Sequence, residues 1–211
     1  HTRHHPRGAG IGIFLAVSIV EPFFNFNLLL DHYLTGFAIL SVFVVGVLDD
    51  YQDTTPNTQF FVMDFAVLLV YFDGIYVAKL GSLFGFDITL GWLALPFTVF
   101  AIVGFTIALN LIDGLDGLAG SVSIVILSVL FIIGYDYNDT FMMMLSGSFI
   151  VGILAFMVYN WNPASIFMGD SGSLVLGFVI GLLFIKSATY IHPVTVLFII
   201  AVPLMDTVLV M

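Results

Sequence analysis

Long apolar runs separated by short polar segments are the feature that most constrains how this chain can fold. The runs cover approximately residues 11–30, 34–48, 59–78, 92–110, 118–134, 140–159, 171–188 and 193–210. A helix needs about 20 apolar residues to cross the hydrocarbon core of a bilayer, and most of the runs approach that length. The chain is also 61% hydrophobic and only 9% charged. We therefore predict an all-α, polytopic integral membrane helix bundle with about eight transmembrane helices.

The runs exclude a membrane β-barrel and suggest one continuous unit. Barrel strands alternate apolar and polar residues, whereas "VSIVILSVLFIIG" does not. The second run is short and the third contains Asp64 and Asp73, so these two fit the pattern least well. The segment "KLGSLFGFDITLG" has room for a small hairpin. We expect a single transmembrane domain over residues 1–211, in a chain that is a fragment cut at both ends.

Acidic residues collect at one side of the predicted bundle. If the runs cross the membrane alternately, one face receives six of the fourteen acids, namely Asp49, Asp50, Asp53, Asp113, Asp116 and Asp170. Any one of them alone is better explained by a helix cap or a solvated loop. Together they lack a neutralising Lys or Arg in the same loops. Converging carboxylates repel one another unless a cation or a shared proton lies among them, so the pattern predicts a divalent metal site.

Glycines next to these carboxylates suggest what the site binds. They occur in "NLIDGLDGLAGS" and "FMGDSGS", each of which lies at the start of a predicted helix. Asp-Gly pairs are also ordinary turn residues, so each motif alone is weak. Two such loops on the same side favour a site for a nucleotide diphosphate, with helix amides facing the phosphates. The net charge of −10, with only four Lys and Arg residues, argues against a nucleic-acid partner.

Five motifs in sequence order carry a resemblance to a known family. "HTRHHPRGAG", "GVLDDYQD", "NLIDGLDGLAGS", "NWNPASIFMGDSGS" and "PLMDT" resemble the polyprenyl-phosphate N-acetylhexosamine-1-phosphate transferases of glycosyltransferase family 4. That superfamily includes undecaprenyl-phosphate GlcNAc-1-phosphate transferases and phospho-N-acetylmuramoyl-pentapeptide transferase. The resemblance implies a multi-pass enzyme of the bacterial inner membrane whose active site faces the cytoplasm. The Arg and Lys positions alone leave the orientation undecided.

The resemblance also implies residue roles around the donor nucleotide. It places Mg²⁺ on Asp170 and Asn110, with Mn²⁺ as the alternative ion. It implies that Phe167 stacks on uracil and that Asn160 hydrogen-bonds the base, although Phe167 read without the family would be one more core aromatic. Asp53 is expected to contact the donor, and it resembles the GlcNAc-1-phosphate branch, since the muramoyl-pentapeptide branch usually has Lys there.

Four further acids are expected to act in catalysis. Asp49 and Asp50 match the paired acids assigned to the lipid-phosphate nucleophile, and Asp113 and Asp116 match acids tied to substrate and catalysis. The implied reaction transfers GlcNAc-1-phosphate, or the 1-phosphate of a close N-acetylhexosamine, from its UDP donor to undecaprenyl phosphate and releases UMP. This step would begin the synthesis of a cell-surface polymer such as O-antigen, enterobacterial common antigen or teichoic acid.

Alternatives and departures accompany this interpretation. The alternatives are a phospho-N-acetylmuramoyl-pentapeptide transferase and a non-enzymatic transporter, although transporter acids typically lie near the bilayer midplane. The family usually has Asn where this chain has Ile107, and its His-rich loop after the last span is absent from the sequence. We therefore expect that the fragment can lack activity even if the whole protein is an enzyme. A homodimer is one possible oligomeric state.

Asp136 and Asp139 provide the comparison for the proposed site. Both lie in "GYDYNDT", which alternate crossings place on the opposite side of the membrane from the clustered acids. We expect replacement of either residue by Asn to be tolerated with near-normal turnover.

Overall fold

The fold is a bundle of eight helices, within the residues that the structure describes. It is a computed structural model that describes residues 8–24, 26–52, 54–83, 86–192 and 195. The helices, in chain order, are α1 (Ala9–Phe24), α2 (Phe26–Asp31), α3 (Tyr33–Gln52), α4 (Pro56–Phe72), α5 (Ala94–Ile112), α6 (Leu118–Asp136), α7 (Thr140–Asn160) and α8 (Asp170–Ser187). The prediction of an all-helical membrane bundle is confirmed.

The helices follow the first seven apolar runs. Four helices, α3, α6, α7 and α8, and the segment Gly91–Ile112 that contains α5, are long and apolar enough to cross a membrane. The first run is divided into α1 and α2, and Pro22 lies near the end of α1, where its missing N–H weakens helical hydrogen bonding. The eighth run, 193–210, and with it Asp206, lies outside the described residues.

The third run ends earlier than predicted because glycine terminates α4. Gly74 adopts a φ of +86°, a left-handed conformation that other residues rarely adopt. The Ile75 N–H donates back to the Val70 carbonyl at 3.1 Å, as in a Schellman motif. Residues after Phe72 therefore leave the helix and lead to the hairpin, in which β1 (Lys79–Leu83) pairs antiparallel with β2 (Phe86–Thr89). The hairpin prediction is confirmed.

Helix α8 lies at the centre of the bundle and packs against α1, α3, α5, α6 and α7. Nearly all of its residues are buried, including Phe178, Val179 and Ile180. Gly177 lets α5 approach closely, since a Cβ at this position would lie 2.7 Å from the Cα of Thr106. Small residues at such contacts permit the tight van der Waals packing on which helix association in lipid depends. The central helix thereby holds its first residue, Asp170, in a fixed place at one end of the bundle.

The opposite end of the bundle contains acids that are matched by partners within the chain. Asp73, which follows α4, accepts hydrogen bonds from the Thr35 hydroxyl at 2.5 Å and pairs with Nδ1 of His32 at 2.9 Å. The ring of Phe141 lies 4.4 Å from the ring of His32 and 5.3 Å from the Nζ of Lys186. His32 and Lys186 thus both lie against the ring of Phe141.

Asp139 has a structural role that the sequence did not indicate. Its carboxylate caps α7 by accepting the Met142 N–H at 2.9 Å, and it also contacts the Lys186 ammonium at 3.3 Å and the Tyr190 hydroxyl at 2.7 Å. Asp139 is buried, whereas Asp136 is exposed. The expectation that either replacement keeps near-normal turnover stays a prediction, but these contacts indicate that Asp139 contributes to stability. Of the two acids, Asp136 makes no hydrogen bond or ion pair with the described residues.

We predict that Asp139→Asn lowers the free energy of unfolding by about 1–2 kcal/mol at neutral pH. The amide can still accept one hydrogen bond but loses the charge that faces Lys186. Thermal unfolding in detergent micelles measures the change, and Asp136→Asn is the matched control that should unfold like the unmodified chain. Equal losses in the two variants would contradict the assigned role of Asp139.

The same variant should show a characteristic dependence on pH. Burial alone would raise the pKa of Asp139, but hydrogen bonds from Tyr190 and Met142 and the charge of Lys186 hold it below its usual value. The stability contributed by the ionised group is therefore present above the unfolded pKa of about 3.9 and is lost as pH falls through the folded value. The difference between Asp139→Asn and the unmodified chain should accordingly shrink in acid.

Candidate active site

Asp170 is the centre of the polar cluster at the acidic end of the bundle. It opens α8 directly after Gly169, whose φ is +76°. Asn110, near the end of α5, donates from Nδ2 to Oδ1 of Asp170 at 2.6 Å and to the Ser173 hydroxyl at 2.8 Å. These bonds use the amide nitrogen of Asn110, and its carbonyl oxygen keeps its capacity to accept or to ligate. The two residues predicted to bind metal are therefore in direct contact.

Asp50 holds the start of α8 from a neighbouring helix. One carboxylate oxygen accepts the N–H of Asp170 at 2.8 Å, and the other accepts the N–H of Ser171 at 3.0 Å. The first amides of a helix have no partner within the helix, and their dipoles favour a negative group. A Cβ on Gly169 would lie 2.7 Å from the nearer oxygen, so glycine leaves the space that Asp50 occupies. Asp50 therefore orients the backbone that carries Asp170.

Asp49 lies beside Asp170 as well as beside its own loop. Its Oδ1 accepts the Thr54 N–H at 2.7 Å and the Thr54 hydroxyl at 2.5 Å. Its side chain also neighbours the Asp170 side chain, and the two carboxyl groups interact electrostatically. Two carboxyl groups in contact must share a proton or a cation, because two bare charges would repel. The pair therefore offers hard oxygen ligands in a place where a positive charge is favoured.

Asp113 adds to the negative charge at the same end. It follows α5, is half-buried, and has a pKa raised to about 7. Burial is the main cause, and the charges of Asp170 and Asp50 raise it further. A cation among these acids would act in the opposite direction and favour the ionised form of Asp113. Asp113 thus responds electrostatically to the cluster.

Asp116 and Asn160 fix the loop between α7 and α8. Asp116 accepts hydrogen bonds from the Ala164 N–H at 3.1 Å and from Nδ2 of Asn162 at 3.3 Å. Asn160 is buried, accepts the Gly117 N–H at 2.9 Å and donates to the Ile166 carbonyl at 2.9 Å. Both side chains are engaged by the backbone around the site. Their predicted contacts with substrate remain predictions.

Helix α1 closes the same loop from the other side. The Ala9 N–H donates to the Phe167 carbonyl at 3.3 Å, and the Gly10 N–H donates to the Met168 carbonyl at 3.0 Å. The Phe167 side chain is half-buried, and its predicted stacking on a base stays a prediction. Asp53 lies outside the described residues.

The structure brings most of the predicted residues together and adds others. Asp49, Asp50, Asn110, Asp113 and Asp170 form one cluster, whereas Asp116, Asn160 and Phe167 belong to or fix the adjoining loop. Thr54 and Ser173 are contributors that the sequence reasoning missed, and the start of α1 was quoted in a motif but was given no role. Ser173 lies within the quoted "GDSGS", three residues after Asp170, and this helical spacing was an available signal. Nothing comparable marked Thr54.

The oxygen donors at the site are of the type that the predicted metal ion prefers, but they do not form a site whose ligands all come from the protein. Within the described ranges, no group of three or more His, Cys, Asp or Glu side chains is arranged to hold a metal. Mg²⁺ commonly takes only one or two protein carboxylates and completes its shell with water and substrate phosphates. Asp170, Asp49 and the carbonyl oxygen of Asn110 are suitable donors for such an open site.

Comparison with known proteins decides the family. The sequence profile described as Glycosyl transferase family 4 matches residues 33–188, which include α3 to α8 and every described acid of the cluster. The chain belongs to glycosyl transferase family 4. This confirms the family that the motifs resembled and is consistent with a multi-pass membrane protein.

Individual family members show the same relationship at the level of whole sequences. The chain is 34% identical to the "Probable undecaprenyl-phosphate N-acetylglucosaminyl 1-phosphate transferase" of Bacillus subtilis (strain 168), over 98% of this chain and 59% of that protein. It is 37% identical to the "Phospho-N-acetylmuramoyl-pentapeptide-transferase" of Streptococcus suis (strain 05ZYH33), over 78% of this chain and 54% of that protein. The corresponding figures for the protein of that name from Kosmotoga olearia are 36%, 82% and 57%. The chain thus spans somewhat more than half the length of these relatives.

We predict that Asp50→Asn destabilises the protein even without substrate. Asn offers one acceptor oxygen where Asp50 accepts two N–H groups, and its NH₂ would face the remaining donor. The expected loss in the free energy of unfolding is about 1–3 kcal/mol, measured by thermal unfolding in detergent. Asp49→Asn is the matched control from the same helix, and it should cost less because it also relieves the carboxyl contact with Asp170. A larger loss for Asp49→Asn would contradict the capping role of Asp50.

Proposed function

We propose that this protein transfers an N-acetylhexosamine-1-phosphate from a UDP-linked donor to undecaprenyl phosphate and releases UMP. The observation that carries the proposal is the contact of Asp170 with both Asn110 and Asp49 at one end of a membrane bundle. A hard-oxygen cluster at that place suits a reaction between a lipid phosphate and a nucleotide diphosphate. Membership of the family and the printed name of the Bacillus subtilis relative support it.

The reaction is a phosphoryl transfer from one phosphate to another, and no water is consumed. An oxygen of the lipid phosphate forms a bond to the phosphorus next to the sugar, and the bond from that phosphorus to the oxygen of UMP breaks. A phosphate monoester loses its second proton near pH 6, so the nucleophile is largely ionised at neutral pH. The protein must therefore mainly position the two phosphates and offset their charge. A general base is optional for this chemistry.

Asp170 and Asn110 would hold Mg²⁺, or Mn²⁺ as the alternative, with Asp49 close enough to contribute. When bound, the ion would neutralise charge on the diphosphate. Asp50 keeps the α8 backbone, and therefore the Asp170 carboxylate, in register with the substrate. Asp113, with its pKa near neutrality, can hold a proton or release it as the local charge changes. In this proposal Asp50 positions the backbone, whereas the charges of Asp49 and Asp113 act on the bound ion and the substrate.

The loop 161–169 is proposed to receive the uridine part of the donor. Phe167 would stack on the base, and Asn160 would keep the loop in place through its bonds to Gly117 and Ile166. Asp116 would support the same loop through Ala164. The proposed contact of Asn160 with the base would require its amide to be shared with, or released from, these backbone groups.

The protein is proposed to lie in the inner membrane of a bacterium, with the site facing the cytoplasm. The reason is that a UDP-sugar is a soluble donor of the cell interior. GlcNAc is the preferred sugar, and the resulting lipid-linked product would begin a cell-surface polysaccharide. A muramoyl-pentapeptide donor is the second candidate, and the names of the Streptococcus suis and Kosmotoga olearia relatives favour it.

A donor panel separates the two candidates. Full-length protein in membranes is supplied with undecaprenyl phosphate, Mg²⁺ and either UDP-GlcNAc, another UDP-N-acetylhexosamine or the UDP-muramoyl-pentapeptide. We expect release of UMP and formation of a lipid-linked sugar, with the highest kcat/KM for UDP-GlcNAc. Preference for the pentapeptide donor would replace the first candidate by the second, and uptake of donor without UMP release would contradict both.

Asp170→Asn tests the metal assignment directly. The substitution keeps the size of the side chain but removes the charge that a hard cation prefers. We expect kcat/KM to fall by about 100-fold at limiting Mg²⁺, with an unchanged thermal unfolding profile. Asp136→Asn, an exposed acid at the other end of the bundle, should retain near-normal turnover. Unaltered activity of Asp170→Asn at limiting Mg²⁺ would contradict the assignment.

A further inference from the structure

Thr54 lies in the short connection between α3 and α4 and reaches back to the last turn of α3. Its hydroxyl donates to Oδ1 of Asp49 at 2.5 Å, and its backbone N–H donates to the same oxygen at 2.7 Å. A carboxylate oxygen has two lone pairs, so these two donors fill the capacity of Oδ1. The second carboxylate oxygen of Asp49 is thereby the one left for the cluster and its ligands.

The position of Asp49 in its helix explains why the carboxylate needs such donors. Asp49 and Asp50 lie in the last turn of α3, which contains no basic residue and where the helix dipole disfavours negative charge. The two amides at the start of α8 compensate Asp50. Asp49 also interacts electrostatically with the Asp170 carboxyl group beside it. The donors of Thr54 therefore offset a charge that the helix end and the neighbouring acid both disfavour.

Gln59, in the first turn of α4, supports the hydroxyl of Thr54. Its Nε2 donates to the Thr54 hydroxyl oxygen at 3.4 Å, and its side chain also interacts with Asp49. A hydroxyl has one proton, so a donor on its oxygen favours directing that proton to the remaining acceptor, which is Asp49. Thr54 and Gln59 are both half-buried, which limits competition from water. Hydrogen bonds thus run from α4 through Thr54 to the carboxylate on α3.

We propose that Thr54 is a positioning residue for the transfer reaction, because it fixes the rotation of the Asp49 carboxylate and keeps one oxygen available to the reacting phosphates and their ion. This inference rests on the proposed function, in which the charge of Asp49 acts on the ion and the substrate. Thr54 acts through Asp49 and not by contact with substrate. A carboxylate that is already oriented needs no reorganisation as charge develops in the transition state. Loss of the hydroxyl should therefore slow the transfer and leave donor binding intact.

Thr54→Val tests this role, because valine has nearly the same shape as threonine and lacks only the hydroxyl. Full-length protein in membranes is assayed with saturating undecaprenyl phosphate and Mg²⁺. We expect kcat to fall about tenfold at an unchanged KM for the UDP-linked donor. Thr54→Ser keeps the hydroxyl and should restore most of the lost rate. Thr58→Val is the matched control and should keep a normal kcat, because Thr58 is exposed and its hydroxyl lies against that of Thr55.

A double-mutant cycle in thermal unfolding tests the contact independently of activity. In detergent micelles, Thr54→Val should lower the unfolding temperature of the otherwise unmodified chain by about 2–4 °C. The same substitution should cost much less in an Asp49→Ala background, because the acceptor of the hydroxyl is then missing. Equal losses in the two backgrounds would show that Thr54 does not act through Asp49 and would overturn the proposal.

The two measurements separate this inference from the proposed function. If the unmodified protein releases no UMP, the proposed function fails and the positioning role fails with it, whatever the cycle shows. If UMP is released but Thr54→Val keeps a normal kcat, or Thr54→Ser does not restore the rate, only the positioning role is overturned. An equal fall in kcat for Thr58→Val would show an effect of the whole connection, and a raised donor KM at constant kcat would show contact with the donor. Either result would also overturn the positioning role alone.

Discussion

The capping of α8 by Asp50 is the interaction on which the acidic end of the structure depends. Helix α8 is almost entirely buried after Asp170, so its first amides need acceptors close to the protein core. Asp50 supplies both missing acceptors from α3 and thereby joins two helices that are far apart in the sequence. The carboxylate of Asp170 can then point toward Asn110 and Asp49. Geometry at the site thus follows from a backbone requirement of the central helix.

The two ends of the bundle handle charge in different ways. At the far end, Asp73 is matched by His32, and Asp139 is matched by Lys186 and Tyr190. At the site end, carboxyl groups lie against one another, and the pKa of Asp113 rises to about 7. The first arrangement is complete within the protein, whereas the second favours an external cation. This contrast is the physical basis for proposing the active site at the acidic end.

The extent of sequence-based prediction differs between the fold and the site. Helix positions such as α6 and α7 were predictable because apolar length is fixed by membrane thickness and is readable along the chain. The gathering of Asp49, Asp113 and Asp170 followed from counting crossings. The roles of Asp50 and Asp139 were not predictable, because each bonds partners that are brought close only by packing. Sequence spacing reports which end of the bundle a residue occupies but not which amide its side chain will accept.

Helix α1 has a consequence for how the unit of this fold should be delimited. The matched family segment begins at residue 33, yet the N–H groups of Ala9 and Gly10 complete the hydrogen bonding of the loop before α8. Gly10 also lies against the backbone of Gly172, where a Cβ on Gly10 would be 2.2 Å from the Gly172 nitrogen. A segment trimmed to residues 33–188 would leave the Phe167 and Met168 carbonyls without these donors. The first helix therefore borders the candidate site, and a shortened version of the protein has to include it.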